Sequence, residues 1–408
     1  MTPSLRSGLM MGAAVVGMAV CLAGEGGGPS PTSAPDGRGA VSTDVTLHLE
    51  VVGEPFKARW PGQWTYACNI WDMQAYEGRI YLGCGSYDNS EPAPNAGPVP
   101  IVCFDPRRNG FVYETAIFEE QIDRYCIIDG RLCIPGCDPK LQSWDLGNYY
   151  VRQDGRWKKH RKLPGGLHCF DLCKYGGKLF AALGSKEGFT VAVSIDDGET
   201  WSLCPGPDEN RAYCFLEVAG RLYVFNDFSG YTRGGRNVYE YAEGSWQRIA
   251  SSADFMPGVV MRDAFREEPL PQRKTAFGRW QVYTGVKVEN RDWVPFGVFA
   301  AASLREVRRL NVPGRPYDVL ARGDVCYVLS CTPPEKPGGE QWTVAVYGSR
   351  DLERWQEILH LRAATFARSF ESLDGDFYFG LGSDVGNVVP ETGRILRVKR
   401  AYTGTSPE

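Results

Sequence analysis

Long helical runs are what this 408-residue chain lacks. Beyond residue 25 no extended apolar segment repeats near a 3.6-residue period, which excludes a helix bundle. The one long apolar run, Leu9 to Leu22, falls short of the roughly 20 residues that span a bilayer. Strong charge of either sign is also missing. The formal net charge is −4, which gives no general attraction to nucleic acid or to an anionic membrane. Histidine is scarce, with four in all, and no ligand pair of zinc-finger type accompanies the cysteines. Cys133, Cys137 and Asp138 are the only grouping in which a metal site is conceivable, and no metal or cofactor is expected.

Glycine and aromatic residues are what the chain has, at 48 glycines and 12% aromatic content. A glycine turn followed by an apolar strand recurs. It reads Glu77-Gly78-Arg79-Ile80-Tyr81-Leu82, then Asp129-Gly130-Arg131-Leu132, then Gly176-Gly177-Lys178-Leu179. It returns around Gly220, Gly278, Gly323 and Gly375, at steps of 52, 47, 43, 58, 45 and 52 residues. Trp157, Trp201 and Trp246 keep the same period, 44 and 45 residues apart, and Trp355 follows 109 later. Seven units at this spacing predict a seven-bladed β-propeller with four-stranded antiparallel blades over residues 44–403. In each unit the strand before the glycine turn is innermost. The outer strand of the last blade is missing after Val398. The alternating segment Asp44 to Val51 is expected to supply it and close the ring. In the fifth blade, Arg262 to Lys274 reads as a long loop.

Ser194-Ile195-Asp196-Asp197-Gly198-Glu199-Thr200-Trp201 is a tight hairpin in which Asp196 accepts backbone N–H groups and Gly198 takes positive φ. It resembles the Asp box of sialidases and related β-propellers. Ser349-Arg350-Asp351-Leu352-Glu353-Arg354-Trp355 is a degenerate copy. The resemblance implies the propeller scaffold. It does not carry sialidase catalytic residues, because the Arg-Ile-Pro motif is absent.

Residues 1–23 read as an export signal with Arg6 in a positive n-region. Residues 24–43, rich in Gly, Pro and Ser, read as a tether, and 404–408 as a tail. Two processing routes compete: cleavage after Ala23, or lipidation of Cys21, the one expected membrane contact. Either way the folded part is expected to work outside the cytoplasm, as a monomer. Export permits disulfides, and Cys204–Cys214 and Cys326–Cys331 are candidate bridges. The remaining cysteines read as small apolar core residues.

Propeller ligands sit where the innermost strands begin. Aligning the blades on the glycine turn brings Asn69, Asp72, Arg124, Asp171, Arg211, Arg273, Arg315 and Arg368 to that mouth as candidate binding residues. Arginine forks favour carboxylate or sulfate, and Trp71, Phe170 and Tyr213 offer stacking faces. An anionic glycan, uronate, sulfated or sialylated, fits these parts. The competing reading is structural: arginines pairing with neighbouring blades, and Asp72 and Asp171 capping inter-blade turns. Of the four histidines only His168 falls at the mouth. His48 is placed on a strand, and His160 and His360 on outer strands. With Tyr213, His168 forms a candidate catalytic base and acid for β-elimination beside a uronate carboxylate. If the chain is an enzyme, it is a polysaccharide lyase or a glycoside hydrolase. The alternative is a non-catalytic cell-surface propeller that binds glycans or proteins, with the Pro-rich loop Asn89 to Pro100 as a lip.

Overall fold

The computed structural model describes residues 43–88, 95–185, 188–206, 210–227, 237–258, 269–289, 292–335 and 341–403. The expected signal and tail and residues 24–42 of the tether lie outside the described residues, as do 89–94 of the Pro-rich loop. The described chain forms seven small antiparallel sheets, six of four strands and one of six, arranged as a seven-bladed β-propeller. The innermost strands are Met73–Tyr76, Cys126–Ile128, His168–Tyr175, Arg211–Val218, Leu270–Phe277, Arg315–Arg322 and Ala367–Leu373. Apolar faces pack blade against blade; Phe180, Phe215, Tyr239 and Trp246, for example, fill one interface.

The glycine turns are the hairpins predicted, and their geometry sets the register. In five blades both central turn residues take positive φ, as in Glu77 and Gly78 at 49° and 72°. Such turns match the twist of the paired strands, and glycine is the residue that tolerates them. There the repeated glycine is the second turn residue. In blades five and six, Gly278 and Gly323 are instead the first, since Phe277 pairs with Trp280 and Arg322 with Val325. An alignment on glycine therefore slips by one residue in those two blades.

Ring closure uses the N-terminal segment, shifted from its expected position. The strand is Glu50–Gly53, paired with Ile395–Val398, and Glu50 lies opposite Arg397 with an ion pair of 2.5 Å. Residues Thr46–His48 form one 3-10 turn instead of strand. The cause is local: Asp44 Oδ1 accepts both the N–H and the hydroxyl of Thr46, which favours a turn over a ladder. His48 consequently stacks on Tyr402 rather than pairing in a sheet. Asp44 itself bridges to His360 on the outer strand of blade six.

Three further expectations are corrected. The loop placed at Arg262 to Lys274 gives way at Leu270, where the innermost strand of blade five begins. None of the twelve described cysteines is in a disulfide. Cys326 and Cys331 sit on one strand, an odd number of residues apart, so they face different blade interfaces. Cys204 and Cys214 lie on the outer strand of one blade and the innermost strand of the next.

The Ser194–Trp201 hairpin has the hydrogen bonds its sequence implies. Asp196 Oδ1 accepts the Thr200 N–H at 2.9 Å and Ser194 Oγ accepts the Gly198 N–H at 2.8 Å. The degenerate copy uses Asp351 Oδ1 for the N–H groups of Glu353 and Arg354.

A chain that begins at residue 54 loses Glu50–Gly53 and bares the edge of Ile395–Val398. Its melting temperature is expected to fall, with self-association through the open edge. A chain beginning at residue 43 is expected to keep both the stability and the association state of the parent. Thermal unfolding with light scattering checks both.

Candidate functional site

Each innermost strand carries one residue four positions before its hairpin turn. Taken around the ring these are Asp72, Arg124, Asp171, Cys214, Arg273, Asp318 and Ser369. The three carboxylates do the same job. Asp72 Oδ2 accepts the Tyr125 N–H at 2.7 Å, Asp171 Oδ2 accepts that of Phe215 at 2.9 Å, and Asp318 Oδ2 that of Phe370 at 3.2 Å. In each case the donor belongs to the next blade. Cations balance the charge. Lys274 Nζ reaches Asp171 at 2.5 Å and Arg124 lies 3.6 Å from it. Arg273 stands 3.9 Å from Asp72 and donates to the Trp71 carbonyl.

The same surroundings shift the carboxylates in opposite directions. Burial alone would raise Asp171, yet Lys274 and Arg124 hold it below the ordinary carboxylate value. Asp318 is pushed up to about 8, by burial first, with Arg273 opposing and Asp72 reinforcing. Asp72 is also raised by burial, against Arg273 and the Tyr125 N–H. One guanidinium shared between two buried carboxylates cannot keep both ionised as two cations keep one.

Above this layer the strands bulge. Register shifts fall between Cys169 and Asp171, Ala212 and Cys214, Pro316 and Asp318, and Ala367 and Ser369. A bulge re-aims the extra residue, here Phe170, Tyr213, Tyr317 and Arg368. Phe170 and Tyr213 thereby enter a cavity of about 130 Å³ with Trp71, Tyr87, Asp123, Arg124, Cys137, His168, Arg211, Gln272 and Trp293. The rings form a continuous wall. His168 stacks on Phe170 at 5.1 Å, Phe170 packs on Tyr213 at 5.3 Å, and Tyr213 stacks on Trp293 at 5.7 Å. Trp293 Nε1 donates to Tyr87 Oη at 3.0 Å, and the Arg124 guanidinium lies over Tyr213. Beneath, a channel of about 460 Å³ lined by Asp72, Asp171, Arg273, Lys274 and Asp318 shares Arg124 and Gln272 with the cavity.

Four of the ten candidate residues from sequence line the cavity: His168, Tyr213, Arg124 and Arg211. The others do not. Asp72, Asp171 and Arg273 belong to the channel layer below, where they fasten blades. Asn69 Oδ1 accepts the Ser383 N–H at 2.7 Å and the Arg368 Nε–H at 3.0 Å. Arg368 spans Trp71 at 4.3 Å and is buried there. Arg315 is exposed at the start of its strand and does not line the cavity. The one-residue slip in blade six hid Asp318, the true counterpart of Asp171. Tyr87 and Trp293 were missed because they lie off the innermost strands, in a blade-one loop and a third strand, where no repeat marks them.

Burial, with Arg211 adding, drives His168 down to about 3, so the ring is neutral near pH 7. Asp138 lies against Nδ1. Asp138 arrives on a two-stranded ribbon, Glu119–Gln121 with Cys137–Pro139, added to the inner edge of blade three, where Cys137 pairs with His168. Cys133 sits on a different sheet, so the three-residue metal grouping does not assemble; among the described residues no such cluster is present.

Gly184 closes the far side. A Cβ there would stand 2.7 Å from His168 Cδ2, 2.8 Å from Phe170 Cε2 and 3.1 Å from Arg211 Cδ. Gly184→Ala is therefore expected to displace the rings at a cost of about 1–3 kcal/mol, read by denaturant unfolding. Asp318 gives a second prediction. The folded chain holds a proton on Asp318 that the unfolded chain, at 3.8, has released. Its contribution to stability is full below 3.8 and is lost as pH rises through about 8. Asp318→Asn, which does not titrate, is expected to gain stability relative to the parent between pH 4 and pH 8, measured by unfolding at both values.

No protein-family model matches the sequence, and no curated protein matches it. Similarity appears among solved structures. U3-55K superposes with a TM-score of 0.50 at 9% identity, covering 86% of this chain and 98% of its own. Hydrazine synthase of Kuenenia stuttgartiensis gives 0.47 at 11% identity, covering 78% and 93%. Polysaccharide lyase Uly1 gives 0.45 at 8% identity, covering 81% and 90%. At 9% identity the likeness to U3-55K shows a shared fold alone.

Proposed function

We propose that this protein binds the acidic unit of a carbohydrate, uronate, sulfated or sialylated, in the cavity at the mouth of the channel. The observation that carries the reading is the wall of Phe170, Tyr213 and Trp293 with Arg211 and His168 at one edge. Aromatic faces suit the C–H faces of a sugar ring, each pairing contributing about 0.5–1.5 kcal/mol beyond area. Arg211 supplies a charged fork for a carboxylate or sulfate. Arg124 is engaged by Asp171 and Asp123 and serves as the floor. The export segment, with cleavage after Ala23 or a lipid at Cys21, belongs to the same proposal, in which the protein works outside the cytoplasm.

Cleavage by β-elimination is the second reading, and the neutral His168 ring at the cavity wall favours it. Its free nitrogen takes the proton on the carbon beside the carboxylate. The C–H electron pair becomes the new C=C bond as the β C–O bond breaks, and the Tyr213 hydroxyl protonates the departing oxygen. A binding module without turnover is the other outcome.

Purified residues 40–408 and the variants Arg211→Ala and His168→Ala are compared on uronate-containing, sulfated and sialylated glycans and on neutral counterparts. Binding calorimetry and absorbance of unsaturated uronate are followed. Arg211→Ala is expected to weaken the acidic ligand about 10- to 100-fold, as loss of a charged hydrogen bond of about 1.5–3 kcal/mol implies, and to leave neutral ligands unchanged. Binding of neutral and acidic glycans alike, or of neither, sinks the reading. Turnover in the parent that vanishes in His168→Ala establishes the elimination.

A further inference from the structure

The ribbon Glu119–Gln121 with Cys137–Pro139 is extra to the four strands of blade three. It is bonded into the structure at several points. Glu119 lies opposite Pro139 and Gln121 opposite Cys137, and Gly136 accepts the Cys169 N–H at 2.8 Å. Buried Glu119 accepts from Asn148 at 2.6 Å and from Tyr150 at 2.8 Å, which anchors the ribbon to blade two. Its middle residue, Asp138, is held at a φ of 61°, a left-handed conformation that turns the side chain toward His168.

His168 Nδ1 and Asp138 Oδ1 are sealed from solvent against each other, and neither makes a regular hydrogen bond among the described residues. Buried polar atoms of native proteins are satisfied, and the polar atom facing each is the other. A proton on Nδ1, donated to the carboxylate, would satisfy both atoms and leave the Nε2 lone pair free. Nε2 has no protein partner among the described residues, and the ring lines the cavity.

We infer that Asp138 is a positioning residue that fixes the tautomer and orientation of His168, so that Nε2 accepts a proton or hydrogen bond from a hydroxyl next to the ligand's acid group. This deepens the glycan reading and rests on it for the identity of the ligand. Arg211 and His168 both lie against the same point above Gly184. A carboxylate on one and the hydroxyl on the ring carbon β to it on the other describe the C4–C6 edge of a uronate. The neutral ring is consistent with this, since burial and Arg211 both oppose protonation.

The test reads the ring directly. The full chain with ¹⁵N-histidine is compared with Asp138→Asn and Asp138→Gly at pH 7 by two-bond ¹H–¹⁵N spectroscopy. His168→Gln identifies the His168 signal. Glycine tolerates the left-handed backbone at 138 but has no acceptor; asparagine tolerates it and keeps one. The parent and Asp138→Asn are expected to show the proton on Nδ1, and Asp138→Gly is expected to show it moved to Nε2. A parent with the proton on Nε2, or an Asp138→Gly spectrum unchanged from the parent, overturns the inference. The tautomer is measured without ligand, so its outcome is separate from the glycan panel. Binding of D-galacturonate as probe is then expected to weaken about tenfold in Asp138→Gly and to be largely retained in Asp138→Asn.

Discussion

A carboxylate on one innermost strand accepting an N–H from the next holds this ring in register. Asp72 to Tyr125, Asp171 to Phe215 and Asp318 to Phe370 are the same bond made three times. Apolar packing between blades is strong but lacks direction, whereas these bonds fix how each blade sits against its neighbour. Carboxylates buried at the axis must be neutralised or protonated, and Arg124, Arg273 and Lys274 stand there for that reason. The floor of the cavity thus follows from how the ring is fastened. One bulge higher, the strand is free to vary, and there Phe170 and Tyr213 turn inward.

Much of the fold was legible because repetition survives in spacing. Seven glycine hairpins and four tryptophans mark the blades, since only glycine and a few residues meet the φ the turns require. The missing outer strand pointed to the N-terminus for closure. Its position was misread because Asp44 caps Thr46, a two-residue interaction that outweighs the alternation of the segment. Cysteine number misled as well, for a thiol in an apolar inter-blade face needs no partner.

The site was harder to read. Bulges leave no mark in the sequence, yet they decide whether a residue faces the axis or the cavity. That is why Asp171 stays at the axis while its neighbour Phe170, and Tyr213 in the next blade, turn into the cavity; of the candidates, His168, Tyr213, Arg124 and Arg211 came together there, and Asn69, Asp72, Asp171, Arg273, Arg315 and Arg368 fell elsewhere. His168 stood out because so few histidines compete with it. Asp138 appeared beside Cys133 and Cys137 as a conceivable metal cluster, since only the ribbon's pairing with blade three brings it to the imidazole. Tyr87 and Trp293 approach from a loop and a third strand, outside any repeat.

Closure by the N-terminal strand has a consequence for the order of assembly. Glu50 and Arg397 are 347 residues apart. On a ribosome, Glu50–Gly53 emerges early and waits for nearly the whole chain before its partner strand exists. Six blades can stack progressively as they are made, each covering the last. The seventh cannot be completed from its own residues. The loop-closure entropy of the ring is therefore met in the final step. Until then two strand edges stay open on the same molecule, and the half-made ring is the species most exposed to mispairing with a neighbour.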